Sequence, residues 1–258
     1  GRSVTYAKGF SNENDSMTEQ ELEKALRTAA EADVAVIFAG LPEIFESEGY
    51  DRTSMKLPKC QDRLIEEVLK VQPNVVVVLH NGSPVELPWA DRVSAILEMY
   101  LGGQGVGEAC DRLLFGEANP SGRLAETFPY RLEDNPSFLH FPGNGKRVLY
   151  GEDIFVGYRY YDTKKVPVRY AFGHGLSYTE FTYGDLTLSS AQMTDEDILT
   201  VSLKVKNSGK TEGKEVVQLY VADLCGISER PVKELKGFAK VHLLPGEEKT
   251  VSMEISAR

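Results

Sequence analysis

The sequence lacks several features that mark large classes of proteins. No run among its 258 residues approaches the roughly 20 consecutive apolar residues that a membrane-spanning helix needs. Basic residues are in the minority, 29 against 39 acidic ones, and the formal net charge is −10. Such a balance argues against a nucleic-acid partner, whose phosphates attract basic surfaces. We therefore predict a soluble protein with no membrane and no nucleic-acid partner, and a neutral or cationic ligand.

Cysteine is also scarce. The three cysteines, Cys60, Cys110 and Cys225, are far apart and lack the C-x-x-C or Cys/His spacing of a metal site. We predict structural thiols in a reducing compartment, no metal and no cofactor, which favours a cytoplasmic location. No signal-like segment opens the chain, but Gly1 begins abruptly in a strand-like stretch. An upstream start and secretion therefore both stay open.

The first half of the chain alternates between helical and strand-like patterns. Thr18 and Glu21 have the spacing of a capping box at the start of an amphipathic segment. The predicted elements are helices over 18–32, 60–72 and 106–115 and strands over 33–40, 74–82 and 94–100. Short apolar strands that alternate with helices predict an α/β fold with a mostly parallel sheet flanked by helices.

The second half has a different composition. Residues 129–182 are rich in proline, glycine and aromatic residues, which predicts an ordered connection with few regular elements. From residue 183 the hydrophobic period is two, and five strand-like segments predict an all-β sandwich. A seven-stranded sandwich would need about two more strands, so we expect it to be truncated or completed by a partner. The predicted domains are 1–128, 129–182 and 183–258.

Three carboxylates and one guanidinium crowd into residues 46–52, ESEGYDR, just after the apolar run that ends at Leu41. In open parallel sheets, ligands bind beyond the carboxyl ends of strands, where this segment is expected together with residues 79–84 and 100–105. A carboxylic acid that donates a proton near neutral pH needs surroundings that favour its neutral form, and neighbouring carboxylates provide them. On the residues alone, a solvated acidic loop with Arg52 in a surface ion pair remains the better-supported alternative.

Two glycine-rich segments invite comparison with phosphate-binding loops. Residues 102–107 do not have the G-x-G-x-x-G spacing of a dinucleotide loop, because Glu108 stands three residues beyond Gly105. Residues 143–147 lack the Ser/Thr and the glycine spacing of a P-loop. Neither segment predicts a nucleotide cofactor.

Several segments, in this order and spacing, resemble the second and third domains of family 3 glycoside hydrolases, most of which are β-glucosidases. They are ESEGYDR with MKLP, LHNGSPVELPW, YLGGQGVGEACDRLLFGEANPSGRLAETFP, FVGYRYYD and YAFGHGLSYTEF. The resemblance covers the chain from about Asp33 to Ile255. It implies an α/β sandwich domain followed by a fibronectin type III-like domain. The family's (β/α)8 barrel is missing from these residues, since a barrel alone takes about 250 residues.

The resemblance also implies roles for the residues of ESEGYDR. The family's acid/base glutamate falls on Glu48, with Glu46 as its rival two residues earlier. Tyr50 is expected to bind substrate through its ring, although a ring packed under the loop fits equally well. Asp51 and Arg52 are expected to form a charged pair that fixes the loop, because a catalytic acid needs precise placement.

Three other residues are candidates for a part in the site. His80 and Asn81 end a predicted strand and could approach the cleft, but a hydrogen-bonded turn is the better-supported interpretation for such a histidine. His174, between two glycines, is expected to lock the connection to the sandwich domain and to take no part in catalysis.

The resemblance implies that the chain is part of a retaining β-glucosidase that hydrolyses terminal β-D-glucosyl residues. Its partners would be β-linked glucosides or oligosaccharides and the missing barrel, which would carry the nucleophilic aspartate; a homo-oligomer stays open. We expect the isolated chain to be inactive and to expose an apolar patch where the barrel docks. The alternatives are a β-xylosidase or arabinofuranosidase of the same family, and a non-catalytic carbohydrate-binding or scaffold module.

Overall fold

A computed structural model describes residues 3–226 and 229–256, so the outer ends of the predicted domains, at residues 1 and 258, lie outside the described residues. The chain forms two compact units. The first comprises Gly1–Cys110 and Phe128–Glu133, and the second comprises Asp111–Thr127 and Asp134–Arg258. The domain borders predicted after residues 128 and 182 stay predictions.

The order of the elements follows the predicted order. The helices and strands are α1 (Glu19–Ala30), β1 (Ala35–Gly40), α2 (Lys59–Val71), β2 (Val75–His80), β3 (Ala95–Glu98), α3 (Val106–Leu114), β4 (Phe128–Pro129), α4 (Tyr158–Lys164), β5 (Val168–Tyr170), β6 (Phe181–Leu188), β7 (Ile198–Asn207), β8 (Gly213–Val221), β9 (Glu234–Leu243) and β10 (Glu248–Ser256). None of the helices in the described ranges has the length and apolar character that a membrane crossing requires.

The first unit is built on a parallel sheet in the order β1-β2-β3. Gly40 pairs with His80 at the end of β1, and Leu79 pairs with Glu98 at the end of β3. The three strands therefore end at nearly the same level of one sheet edge. Buried residues of the strands and of helices α1 and α2 form the core: Leu22, Ala25, Ile37, Leu64, Ile65, Val68, Val75, Val77, Val78 and Leu79. The predicted α/β fold with a parallel sheet is confirmed.

Helix α1 begins at the predicted capping box. The Thr18 hydroxyl accepts a hydrogen bond from the Glu21 amide at 3.1 Å, and the Glu21 carboxylate accepts one from the Thr18 amide at 2.9 Å. These bonds with Thr18, aided by Lys8, lower the pKa of Glu21 to about 2. The reciprocal bonds satisfy two amides that would otherwise lack partners at the helix start.

Helix α2 begins differently, because Pro58 at its N-cap position offers no side-chain acceptor. Asp15, far earlier in the chain, accepts from the amides of Lys59 at 3.0 Å and Cys60 at 2.8 Å. Burial, followed by the nearby Asp15 carboxylate, raises the pKa of the Cys60 thiol to about 12. A carboxylate at a helix start both satisfies the free amides and favours the helix dipole, so Asp15 fastens the segment before α1 to α2.

The second unit contains the five predicted strands in two antiparallel sheets, one in the order β10-β7-β6 and one formed by β8 and β9. Buried side chains from both sheets share one core: Val205, Val217, Leu243, Val251 and Met253. Alternating inward apolar residues on two facing sheets are the pattern of a β-sandwich. The predicted all-β sandwich is confirmed.

A buried ion pair fastens an irregular segment of the second unit to β8. Nη2 of Arg123 donates to both carboxylate oxygens of Glu215, at 2.8 and 2.7 Å. The two side chains are only 12% and 8% exposed. Next to this pair, Leu124 and the glycine-flanked His174 are joined by a backbone hydrogen bond of 2.8 Å. His174 thus lies in a hydrogen-bonded segment of the connection.

Candidate functional site

A loop over residues 41–52 leaves the carboxyl end of β1, and its base is held through backbone atoms. The Gln61 side chain donates to the Gly40 carbonyl and accepts from the Gly40 amide, both at 2.9 Å. The Leu41 amide donates to the His80 carbonyl at 3.0 Å. Gly40 has a φ of +155°, and a Cβ there would lie 2.0 Å from the His80 carbonyl oxygen. Only glycine fits where β1 and β2 approach so closely.

The middle of the loop is held by Glu46. Its Oε2 accepts from the Gly82 amide and its Oε1 accepts from the Ser83 hydroxyl, each at 2.6 Å. Nη1 of Arg52 lies 3.7 Å from Glu46 Oε1 and donates to Ser83 Oγ at 2.6 Å. We call these four residues, Glu46, Arg52, Gly82 and Ser83, the Glu46 clamp. Hydrogen bonds to an ionised carboxylate are stronger than neutral ones, so the clamp holds the loop firmly to Gly82 and Ser83.

Glu48 differs sharply from Glu46. Its side chain is exposed, and within residues 3–226 and 229–256 its carboxylate has no hydrogen-bond or ion-pair partner. It stands in a turn that a backbone bridge between Ser47 and Tyr50 closes. The loop therefore holds the Glu46 carboxylate within the chain and leaves the Glu48 carboxylate exposed.

Tyr50 and Asp51 flank this turn. Tyr50 is 48% exposed, and its hydroxyl donates to the Glu43 carbonyl. Asp51 is exposed, and the acidic side chain beside the Arg52 guanidinium is Glu46. In the clamp Arg52 reaches across to Ser83, and the pair expected between Asp51 and Arg52 stays a prediction.

The segment that follows β2 is hydrogen-bonded to the end of β3. Asn81 is fully buried, and its amide donates to the Ser83 carbonyl at 3.0 Å and to Glu98 Oε2 at 3.3 Å. The other Glu98 oxygen accepts from the Tyr100 amide at 2.8 Å. These bonds fix the backbone that carries Ser83.

The two histidines considered from sequence make ring contacts. His80 stacks on Phe38 with ring centroids 6.3 Å apart, and His174 stacks on Tyr170 at 5.1 Å. Burial, followed by the charge of Arg123, lowers the pKa of His174. Among the described residues there is no group of three His, Cys, Asp or Glu side chains that could hold a metal ion.

The sequence does not single out Gln61, Gly82 or Ser83, although all three shape the site. Gln61 lies on a helix 21 residues from its partner Gly40, and Ser83 lies 37 residues from Glu46. The sequence offers one signal for these contacts, the order of the elements: LHNGSP and ESEGYDR both follow strands that end at one sheet edge. That signal predicts proximity but not which atoms meet.

Comparison with protein families gives two matches. Residues 2–178 match the glycosyl hydrolase family 3 C-terminal domain, and residues 215–258 match a fibronectin type III-like domain. The first match includes the loop over residues 41–52 and the whole parallel sheet.

Curated relatives are similar over nearly the whole chain. A protein named thermostable β-glucosidase B, from Acetivibrio thermocellus, is 56% identical over 99% of this chain, which corresponds to 34% of that protein. A probable β-glucosidase I from Emericella nidulans is 47% identical over 93% of this chain and 29% of its own length. The chain thus spans about a third of the length of the curated relatives it matches.

Solved structures agree with the fold. A family 3 β-glucosidase from Bifidobacterium adolescentis is 40% identical, with a TM-score of 0.94 over 99% of this chain and 38% of that one. A β-glucosidase from Kluyveromyces marxianus in complex with glucose is 46% identical, with a TM-score of 0.86 over 92% of this chain and 28% of that one. From the family match, the identities and these structures, we conclude that the chain belongs to glycosyl hydrolase family 3.

Proposed function

We propose that this chain is the C-terminal part of a longer retaining β-glucosidase, which removes terminal β-D-glucosyl residues from β-linked glucosides or oligosaccharides. Support comes from the names of relatives that are 46–56% identical over at least 93% of the chain. The nucleophilic aspartate and most sugar contacts would belong to a (β/α)8 barrel elsewhere in that protein. A retaining mechanism needs two carboxyl groups, one that attacks and one that donates a proton.

In this proposal Glu48 is the general acid/base. The observation that carries it is the contrast within one loop: both oxygens of Glu46 accept hydrogen bonds within the chain, whereas Glu48 is exposed and without a partner among the described residues. In the first step the Glu48 carboxyl group donates its proton to the glycosidic oxygen as the bond to the sugar breaks. In the second step its carboxylate takes a proton from the water that attacks the glycosyl-enzyme.

Tyr50 is proposed to line the substrate side of the same turn. The residue is about half exposed, and its hydroxyl donates to the Glu43 carbonyl, which holds the ring in place. An aromatic face fixed in this way can pack against the apolar face of a sugar.

The test is to replace Glu48 by Gln in the full-length protein and measure hydrolysis of p-nitrophenyl β-glucoside and of an alkyl β-glucoside. Loss of general acid catalysis lowers rates by about 10²- to 10⁴-fold when the leaving group needs a proton. We expect the alkyl glucoside to lose this much and the nitrophenyl glucoside much less. Azide should raise turnover of the variant, because it attacks the glycosyl-enzyme without a general base.

Glu43→Gln is the matched control, since Glu43 lies on the same loop with an exposed side chain. It should leave both rates within about twofold of the parent, because the side chain is exposed and the backbone carbonyl that accepts from Tyr50 is kept. Unchanged rates in Glu48→Gln, or azide rescue in Glu46→Gln alone, would contradict the assignment. A full-length protein without glycosidase activity would favour a non-catalytic module.

A further inference from the structure

The turn that carries Glu48 is closed by the backbone bridge between Ser47 and Tyr50, and one hydroxyl group bonds to the residues on both sides of it. Ser83 Oγ donates to Glu46 and accepts from Arg52, both at 2.6 Å. Glu46 and Arg52 stand at the two ends of ESEGYDR, with the whole turn between them. One atom at the end of β2 therefore holds both ends of the turn.

From this geometry we infer that Ser83 and Glu46 are positioning residues, which set the place of the Glu48 carboxyl group relative to the sheet. The inference rests on the proposed function of Glu48, and it assigns to the Glu46 clamp a role in the same reaction. Neither residue acts on the substrate, because both oxygens of Glu46 and the hydroxyl of Ser83 are already engaged within the chain.

The clamp is well suited to this role because the rest of the turn has few internal contacts. Glu48, Gly49, Tyr50 and Asp51 are all exposed, and exposed segments with few buried contacts are the first to move. The base of the loop at Gly40 is held independently by Gln61, so loss of the clamp would release the turn without releasing the strand.

The surroundings of Ser83 are themselves fixed. Nη1 of Arg52 also donates to the Pro84 carbonyl at 3.2 Å, and the fully buried Asn81 donates to the Ser83 carbonyl at 3.0 Å. Gly82 admits the carboxylate closely, since a Cβ there would lie only 3.1 to 3.2 Å from the Glu46 carboxylate. The position of Glu46 is thus set by the backbone of Gly82, just after β2, as well as by side chains.

The size of the expected effect follows from the geometry of proton transfer. A misplacement of about 1 Å can cost about 10²-fold in rate. Because the nucleophile lies elsewhere, a displaced Glu48 weakens proton donation and leaves the attack on the sugar intact. The loss should therefore depend on how badly the leaving group needs a proton.

The test compares kcat/KM of the full-length protein on 2,4-dinitrophenyl β-glucoside and on an alkyl β-glucoside. For Ser83→Ala we expect a loss of about 10- to 100-fold on the alkyl glucoside and about threefold or less on the dinitrophenyl glucoside. Ser83→Thr, which keeps the hydroxyl, should recover most of the loss. Glu46→Gln, which keeps an acceptor for the Gly82 amide, should show a smaller loss with the same substrate dependence.

Ser54→Ala is the matched control, since among the described residues the Ser54 hydroxyl bonds only to the nearby Lys56 amide, from which it accepts. It should change neither rate. Equal losses on both substrates in Ser83→Ala and in Glu46→Gln would overturn the positioning role, because a general disturbance does not distinguish leaving groups. If Glu48→Gln shows leaving-group dependence and these two variants do not, the clamp inference alone fails. If Glu48→Gln lacks that dependence, the proposed function fails and the inference with it.

Discussion

Each unit of the molecule contains a largely buried arginine–glutamate pair, and the two pairs are built differently. In the second unit, Arg123 donates directly to both oxygens of Glu215, at 2.8 and 2.7 Å. In the first unit, Arg52 lies 3.7 Å from Glu46, and the Ser83 hydroxyl bonds to both. In the direct pair Arg123 Nη2 has both Glu215 oxygens as its acceptors, whereas Nη1 of Arg52 donates to a neutral hydroxyl and to the Pro84 carbonyl.

The largest expected effect on stability is the difference between the two pairs when the glutamate is removed. Removing one partner of a buried direct pair costs about 3–5 kcal/mol, because the other charge stays buried and unpaired. We expect this cost for Glu215→Ala. For Glu46→Ala we expect about 1–2 kcal/mol, since Arg52 keeps Ser83 Oγ and the Pro84 carbonyl as acceptors.

Urea unfolding of the 258-residue chain, followed by circular dichroism, measures both costs. If Glu46→Ala lowers the free energy of unfolding as much as Glu215→Ala does, the direct and the serine-mediated pair do not differ in their contribution to stability. Glu212→Ala, on an exposed residue next to β8, is the matched control.

A half-buried carboxylate that has no ion-pair partner among the described residues extends the comparison. Asp62 accepts from Trp89 Nε1 at 2.9 Å. Burial raises its pKa to about 6, although the bond from Trp89 acts in the opposite direction, and the charges of Glu66 and Glu86 add to the increase. Where burial is not offset by a cation, the charged form is disfavoured.

Because the folded pKa of Asp62 lies above the unfolded value of about 3.9, its contribution to stability is fully present below pH ~4 and is lost as the pH rises through about 6. Asp62→Asn should therefore raise the free energy of unfolding by about 1 kcal/mol at pH 8, after allowance for solvent screening, and change it little at pH 4. Unfolding monitored by the fluorescence of the single tryptophan, Trp89, measures this. Asp33→Asn, at an exposed carboxylate, is the control, and an equal gain at both pH values would contradict the cause.

The smallest effect concerns Asp15, a carboxylate paired with backbone amides. Burial alone would raise its pKa, but the bonds from the amides of Cys60 and Lys59 together lower it. Its contribution is therefore present above pH ~4 and is lost as the pH falls through the lowered value. Asp15→Ala should cost about 1 kcal/mol at pH 7, as for loss of a helix cap.

Thermal unfolding of Asp15→Ala and Asp15→Asn at pH 7 tests the cap. The Asn variant keeps an acceptor and should lose less than the Ala variant. Equal losses in the two variants would show that the amide bonds do not carry the effect.

Features that depend on neighbouring residues could be predicted from the sequence, and features that depend on distant ones could not. The capping box of Thr18 and Glu21 and the five strands of the sandwich follow from local spacing and period. Asp15 caps Lys59 and Cys60, which lie 44 and 45 positions further along the chain. The clamp joins Glu46 to Ser83, 37 positions away. Sequence patterns identify which segments share a sheet edge, but the partner of each side chain is set by packing.

The anchor at the base of the loop has an evolutionary consequence. Gln61 holds Gly40 through its amide and carbonyl, and Leu41 is held through its amide, so no loop side chain takes part. Substitutions of the loop side chains at residues 42–52 leave these hydrogen bonds unchanged. Positions of the loop other than Glu46, Glu48 and Arg52 can therefore change in sequence while the starting point of the loop on the sheet stays the same.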